Sequence, residues 1–102
     1  MTIRNIKSIV MDAGDTETDR FGLNSKFGDN DARLIHGNLT SGDTIRVELS
    51  GEANPNETGS SGGYSSPEYD TVVFGDAFIG GWRWFRVIKS GSNGPATIRI
   101  EL

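Results

Sequence analysis

The last seven residues of the chain constrain its architecture more than any other stretch. Ala96, Ile98, Ile100 and Leu102 alternate with Thr97, Arg99 and Glu101. A period of two marks a half-buried strand with one wet face. The strand is entered through Ser90-Gly-Ser-Asn-Gly-Pro95, whose glycines and asparagine tolerate positive φ and whose proline cannot continue a ladder. Before that link, Trp82, Trp84, Arg86 and Ile88 share one face of a second strand, and Arg83, Phe85, Val87 and Lys89 share the other. A strand apolar on both faces is either central to its sheet or covered on its second side.

The remainder of the chain reads as more strands and turns. Ile3, Ile6, Ile9 and Val10 predict a strand over residues 2–11, and the Asp-Ala-Gly-Asp turn follows it. Short strands are expected at 20–23 and 32–36. The clearest strand of the first half lies at 44–50, with Ile45, Val47 and Leu49 on one face. Residues 51–67 carry no periodicity and read as one long loop. Strand character returns at 68–74, and 77–79 is a short apolar piece before Gly80-Gly81. No stretch of ten residues carries a helical stripe. The expectation is all-β: a single small β-sandwich of seven to eight short strands, immunoglobulin-like or jelly-roll-like. Within it, residues 1–30 form an N-terminal arm or the first strands, and residues 31–102 form the sandwich core.

With 102 residues there is room for one domain and a modest core, so help from partner subunits is expected. A formal charge of -4 argues against general affinity for nucleic acid. The absence of cysteine removes disulfides, thiolate metal sites and thiol nucleophiles together. No apolar run approaches a membrane span and no leader opens the chain, so a soluble protein made in the cytoplasm is expected.

Candidate chemistry is sparse. His36 is the only histidine, with no cysteine or second histidine to share a metal. The serines sit in glycine-rich loops without a Gly-x-Ser-x-Gly turn. Asp12, Asp15, Glu17 and Asp19 crowd into eight residues and supply hard oxygen ligands suited to calcium. They fail the calcium-loop pattern, since Arg20 falls where glycine is needed and Lys26 where glutamate is needed. Asp29 and Asp31 form a weaker pair. No enzyme, cofactor or metal is expected. Trp82, Trp84, Tyr64 and Tyr69 are candidates for a sugar-stacking platform, against the alternative of core or interface packing. Charge is polarised along the chain: Glu52, Glu57, Glu68, Asp70 and Asp76 stand without a cation between residues 51 and 76, and Arg83, Arg86, Lys89 and Arg99 then dominate. Such regions either meet head to tail between subunits or neutralise each other within the monomer.

Two stretches carry a family likeness. Arg33-Leu-Ile-His-Gly-Asn-Leu-Thr-Ser-Gly-Asp-Thr-Ile-Arg-Val-Glu-Leu49 is a strand, turn and strand before a long loop. Trp84-Phe-Arg-Val-Ile-Lys-Ser-Gly-Ser-Asn-Gly-Pro-Ala-Thr-Ile-Arg-Ile-Glu-Leu102 runs from a Phe-Arg-Val strand through a Ser/Gly-rich turn into a final Ala-Thr-Ile strand. Together they resemble small β-sandwich proteins of bacteriophage virions, over about two-thirds of the chain. Tyr64 stands where such proteins often carry a tryptophan, and the first thirty residues lie outside the likeness.

The resemblance implies a capsid decoration (cement) protein that binds and stabilises the lattice of the major capsid protein. A head–tail junction component and a small tail or fibre subunit are its alternatives. It implies a homo-oligomer, with a trimer favoured, assembled in the host cytoplasm and resident in the virion. On that expectation Trp82, Trp84, Phe85 and Val87 supply apolar contact, while Arg83, Arg86 and Lys89 meet acidic partners. The segment 1–11 would reach as an arm to a neighbour's sheet edge. From a different class, a carbohydrate-binding module using Trp82, Trp84 and Tyr64 is the rival.

Overall fold

The computed structural model describes residues 6–23, 32–51, 63–80 and 82–102. Eight strands follow one another: β1 (Ile6–Met11), β2 (Phe21–Gly22), β3 (Ala32–Asn38), β4 (Thr44–Ser50), β5 (Gly63–Ser65), β6 (Val73–Ile79), β7 (Trp84–Ser90) and β8 (Ala96–Glu101). They form two four-stranded antiparallel sheets. Sheet I has the order β1-β8-β3-β6 and sheet II the order β2-β7-β4-β5.

The pairing decides between the two expected sandwiches. β1 pairs with β8, β2 with β7, β3 with β6 and β4 with β5, so the chain is a long antiparallel ribbon rolled over on itself. Of these pairs, only β4 and β5 are sequence neighbours; the other connections cross between sheets. This nesting is the jelly roll, whereas an immunoglobulin-like sandwich would pair more consecutive strands within each sheet.

Alternation builds the core. Ile45, Val47 and Leu49 of β4, Phe85 and Val87 of β7, and Ala96, Ile98 and Ile100 of β8 are all buried between the sheets. Arg33, on the inward face of β3, is wholly buried and donates from its guanidinium to the Glu101 carbonyl at 2.6 Å. Gly37 lets β3 and β8 approach closely, because a Cβ there would overlap the Thr97 carbonyl and meet the Phe74 ring.

Three expectations need correction. Of the segment 1–11, Ile6–Met11 does not reach out as an arm but pairs along its whole length with β8 of the same chain, as the first-strands alternative has it, and residues 1–5 lie outside the described residues. The long loop of 51–67 contains β5, and the chain stays beside β4 beyond it. Ser66 is buried, accepting the Val47 N–H on its hydroxyl at 2.9 Å and donating its own N–H to the Val47 carbonyl at 2.8 Å. Residues 52–62 of that loop lie outside the described residues. Finally, the strand expected at 68–74 starts at Val73 and absorbs the separate piece at 77–79. Tyr69 bridges Ile45 on sheet II before the chain crosses to sheet I, which accounts for the shift.

Candidate functional site

The two sheets differ in what their outer faces present. On sheet II the face is closed by its own side chains. The segment before β2 lies along β7, with Thr18 N–H donating to the Val87 carbonyl and Val87 N–H donating to the Thr18 hydroxyl, both at 3.0 Å. Arg86 then sits between Glu48, at 2.5 Å from its Nε, and Glu17, at 3.3 Å. The Arg20 guanidinium lies 5.4 Å from the centre of the Trp84 ring, and Trp84 is buried. β7 is thus both central in its sheet and covered, and this double cover is why its two faces are apolar.

That placement corrects the expected contact set. Phe85 and Val87 belong to the core, and Trp84 and Lys89 are also buried, so none of the four presents a surface. Arg86 is taken by Glu48 and Glu17. Of the seven residues, Arg83 is exposed and Trp82 is half-buried, its indole N–H donating to the Ile79 carbonyl at 3.2 Å. A platform of Trp82 and Trp84 does not form, and Tyr64's side chain lies outside the described residues. Tyr69 is occupied as well: its ring stacks on Phe74 at 5.1 Å and its hydroxyl donates to Asp76 at 2.7 Å.

Lys89 has a structural task. Its ammonium lies 3.3 Å from Asp43 Oδ2 and donates to the carbonyls of Ala13 and Gly91 at 2.9 and 2.7 Å. Asp43 Oδ1 in turn accepts the Asn93 backbone N–H at 3.1 Å and its side-chain amide at 2.7 Å. Burial alone would raise the Asp43 pKa, but the two Asn93 donors and the Lys89 ammonium outweigh it and hold the carboxyl below its usual value. One ion pair therefore fastens three links at one end of the sandwich: 12–15, 39–43 and 91–95.

The acidic cluster does not converge on an ion. Asp15 accepts the Asp12 backbone N–H at 2.8 Å and Glu17 is turned to Arg86. Among the described residues no three potential metal ligands gather. Asp29 and Asp31 lie outside the described residues. Among the described residues the polarised charges are partly neutralised within the monomer by Glu17, Asp43 and Glu48.

Sheet I leaves its outer face open. Register sets its side chains in rows across the strands. Ile6, Glu101, Leu34 and Ala77 form one row, Ser8, Arg99, His36 and Gly75 the next, and Val10, Thr97, Asn38 and Val73 a third. Ile6, Val10, Leu34, Val73 and Ile79 are each more than half exposed. Ile6, Leu34, His36, Arg99 and Glu101 line a hollow of about 120 Å³ on this face. A second hollow, of about 220 Å³, lies at the end of β6 between Ala77, Phe78, Ile79 and Trp82.

The neighbouring β6 edge is blocked. In an antiparallel ladder the N–H and C=O of one residue point the same way, so those of Val73, Ala77 and Ile79 share one side of β6. The Thr71 hydroxyl donates to the Val73 carbonyl at 2.8 Å, Asp76 accepts the Ala77 N–H at 2.8 Å, and Trp82 takes the Ile79 carbonyl. Side chains that occupy edge groups in this way discourage strand addition. Beside the β6 edge, the open surface is the sheet face.

Sequence reasoning missed this face, yet a signal was present. Ile9-Val10, Leu34-Ile35, Val73-Phe74 and Phe78-Ile79 are adjacent apolar pairs in strands of sheet I. One member of such a pair must point outward, and in all four it is exposed.

Fold and site together define an eight-stranded jelly-roll domain with one self-covered face and one open apolar face. Compared with known proteins, the chain matches no family model, no curated protein and no solved structure. Among the described residues no helix is long and apolar enough to cross a membrane.

Proposed function

We propose that the chain is a non-enzymatic structural component of a bacteriophage particle, a capsid decoration protein that seats on the lattice of the major capsid protein. The observation that carries this reading is the outer face of sheet I, where five large apolar side chains stand exposed on a rigid two-sheet scaffold. Exposed apolar side chains clustered on one face mark an interaction surface. The sequence likeness of residues 33–49 and 84–102 to phage virion proteins supplies the kind of partner. A homo-oligomer, with a trimer favoured, would present several such faces at once and gain avidity from the repeating shell.

The carbohydrate-binding reading retains one supporting observation, the half-buried Trp82 beside the hollow at Phe78 and Ile79. Trp82→Ala separates the two: glycan affinity lost with assembly intact favours the module.

Quantitative mass spectrometry of purified particles tests the assembly reading. A copy number near that of the major shell protein, or a simple fraction of it, supports decoration. A handful of copies moves the chain to the tail or junction, and absence from particles overturns the reading.

A further inference from the structure

We infer that the middle row of the open face is a docking trough for an acidic protein segment, one that presents a carboxylate flanked by apolar side chains. This rests on the assembly reading and names the chemistry of the partner. The trough has walls and a floor. Rows on one strand face are two residues apart, about 6.6 Å, so the middle row runs between a row carrying Ile6 and Leu34 with Glu101 and Ala77 and a row carrying Val10 and Val73 with Thr97 and Asn38. Its ends are low, because Ser8 stands on β1 and Gly75 on β6. Small residues at both ends open the row across the full width of the sheet.

The centre of the trough carries the Arg99 guanidinium. Arg99 and His36 are cross-strand partners on the same face, and neither side chain makes a hydrogen bond or ion pair among the described residues. Arg86 and Lys89, by contrast, are both committed to carboxylates within the chain. Glu101 sits one row away on β8, but its Oε1 accepts the Leu34 backbone N–H at 2.8 Å. The guanidinium of Arg99 is flanked by Ser8 and His36 in its row and by Thr97 and Glu101 along β8, with Ile6 and Leu34 lining the same hollow; its planar fork is uncommitted among the described residues, and a carboxylate is the group that fork matches. The flanking valine, leucine and isoleucine side chains select apolar neighbours on either side of that carboxylate. Because the β6 edge is capped, the segment lies over the face rather than adding as a strand.

The test uses the intact chain and a synthetic pentapeptide, acetyl-Val-Asp-Leu-Asp-Val-amide, with its Asn-for-Asp isostere. Amide chemical shifts recorded on titration should move at Ser8, Leu34, His36, Gly75 and Arg99, and the isostere should bind at least about fivefold more weakly. Arg99→Gln, checked for an unchanged thermal midpoint, should reduce the acidic peptide to the level of the isostere. Equal binding of both peptides, shifts elsewhere on the sandwich, or no shifts at all overturns the inference. Self-association of the isolated chain that Arg99→Gln abolishes also overturns it, because the occupant is then a second copy. If the chain is absent from particles, the assembly reading fails whatever the peptide does. If it is present and Arg99→Gln adds to particles as well as the parent does, the trough alone fails.

Discussion

Lys89 and Asp43 meet inside the sandwich with both side chains wholly out of solvent, Nζ lying 3.3 Å from Oδ2. Three links depend on that contact, and each ion would be left buried without the other. Removing one partner of a buried pair costs far more than replacing both with apolar groups. Lys89→Met should therefore lower the denaturant midpoint sharply, and the double change Lys89→Met/Asp43→Leu should recover much of the loss. Chemical denaturation of the three chains measures this. A double change no better than the single one would show that the pair is not the fastening.

The same carboxylate makes the fold acid-sensitive. The Asp43 pKa is held below its usual value in the folded chain, so below about pH 4 the unfolded state binds the extra proton first. The sign follows: the contribution of Asp43 is fully present above the unfolded pKa and is lost as pH falls through the folded one. Stability measured from pH 6 downward should drop more steeply for the parent than for Asp43→Asn, which has no proton to gain at this site. Parallel curves would count against this assignment.

The sequence disclosed this end of the molecule only in part. Strand β4 was legible to the residue, because Ile45, Val47 and Leu49 alternate cleanly with polar neighbours, and β8 for the same reason. Asp43 and Lys89 were not legible as a pair, since nothing local in a Ser-Gly-Asp turn or a lysine after Val87-Ile88 shows which of them is buried. β5 was hidden by its composition: it is held by pairing with β4, next to the Ser66 hydroxyl that accepts the Val47 N–H. The burial of Trp84 was not legible, because two tryptophans on one strand look like an interface until the covering segment, residues 16–20, is known.

Two glycines on the same sheet should respond oppositely to alanine. At Gly37 a Cβ would overlap the Thr97 carbonyl, forcing β3 and β8 apart at a cost of about 1–3 kcal/mol or more. At Gly75 the nearest atoms are 3.7 and 3.8 Å from a Cβ, ordinary contact, so Gly75→Ala should leave stability unchanged within about 0.5 kcal/mol. Thermal unfolding of both variants checks the pair, and equal losses would contradict the register.

Apolar residues should divide by face rather than by hydrophobicity. Ile98 is fully buried, and Ile98→Ala should cost about 2–5 kcal/mol. Leu34 is more than half exposed, and Leu34→Ala should change stability by no more than about 0.5 kcal/mol. Leu34→Ala should nevertheless weaken attachment to the shell, read as chain retained on particles after washing. Attachment unaffected by the change would remove Leu34 from the contact.

The absence of cysteine makes a direct test of the open face simple, since a single introduced thiol is the only one to label. Ser8→Cys places it on the outer face of sheet I, and Ser92→Cys places it on the exposed link between β7 and β8. Both variants should react with a maleimide dye in the isolated chain. On the assembled particle, Ser8→Cys should be protected at least about tenfold while Ser92→Cys labels as before, if sheet I faces the shell as proposed. Equal labelling of Ser8→Cys in the free and assembled states would contradict the account.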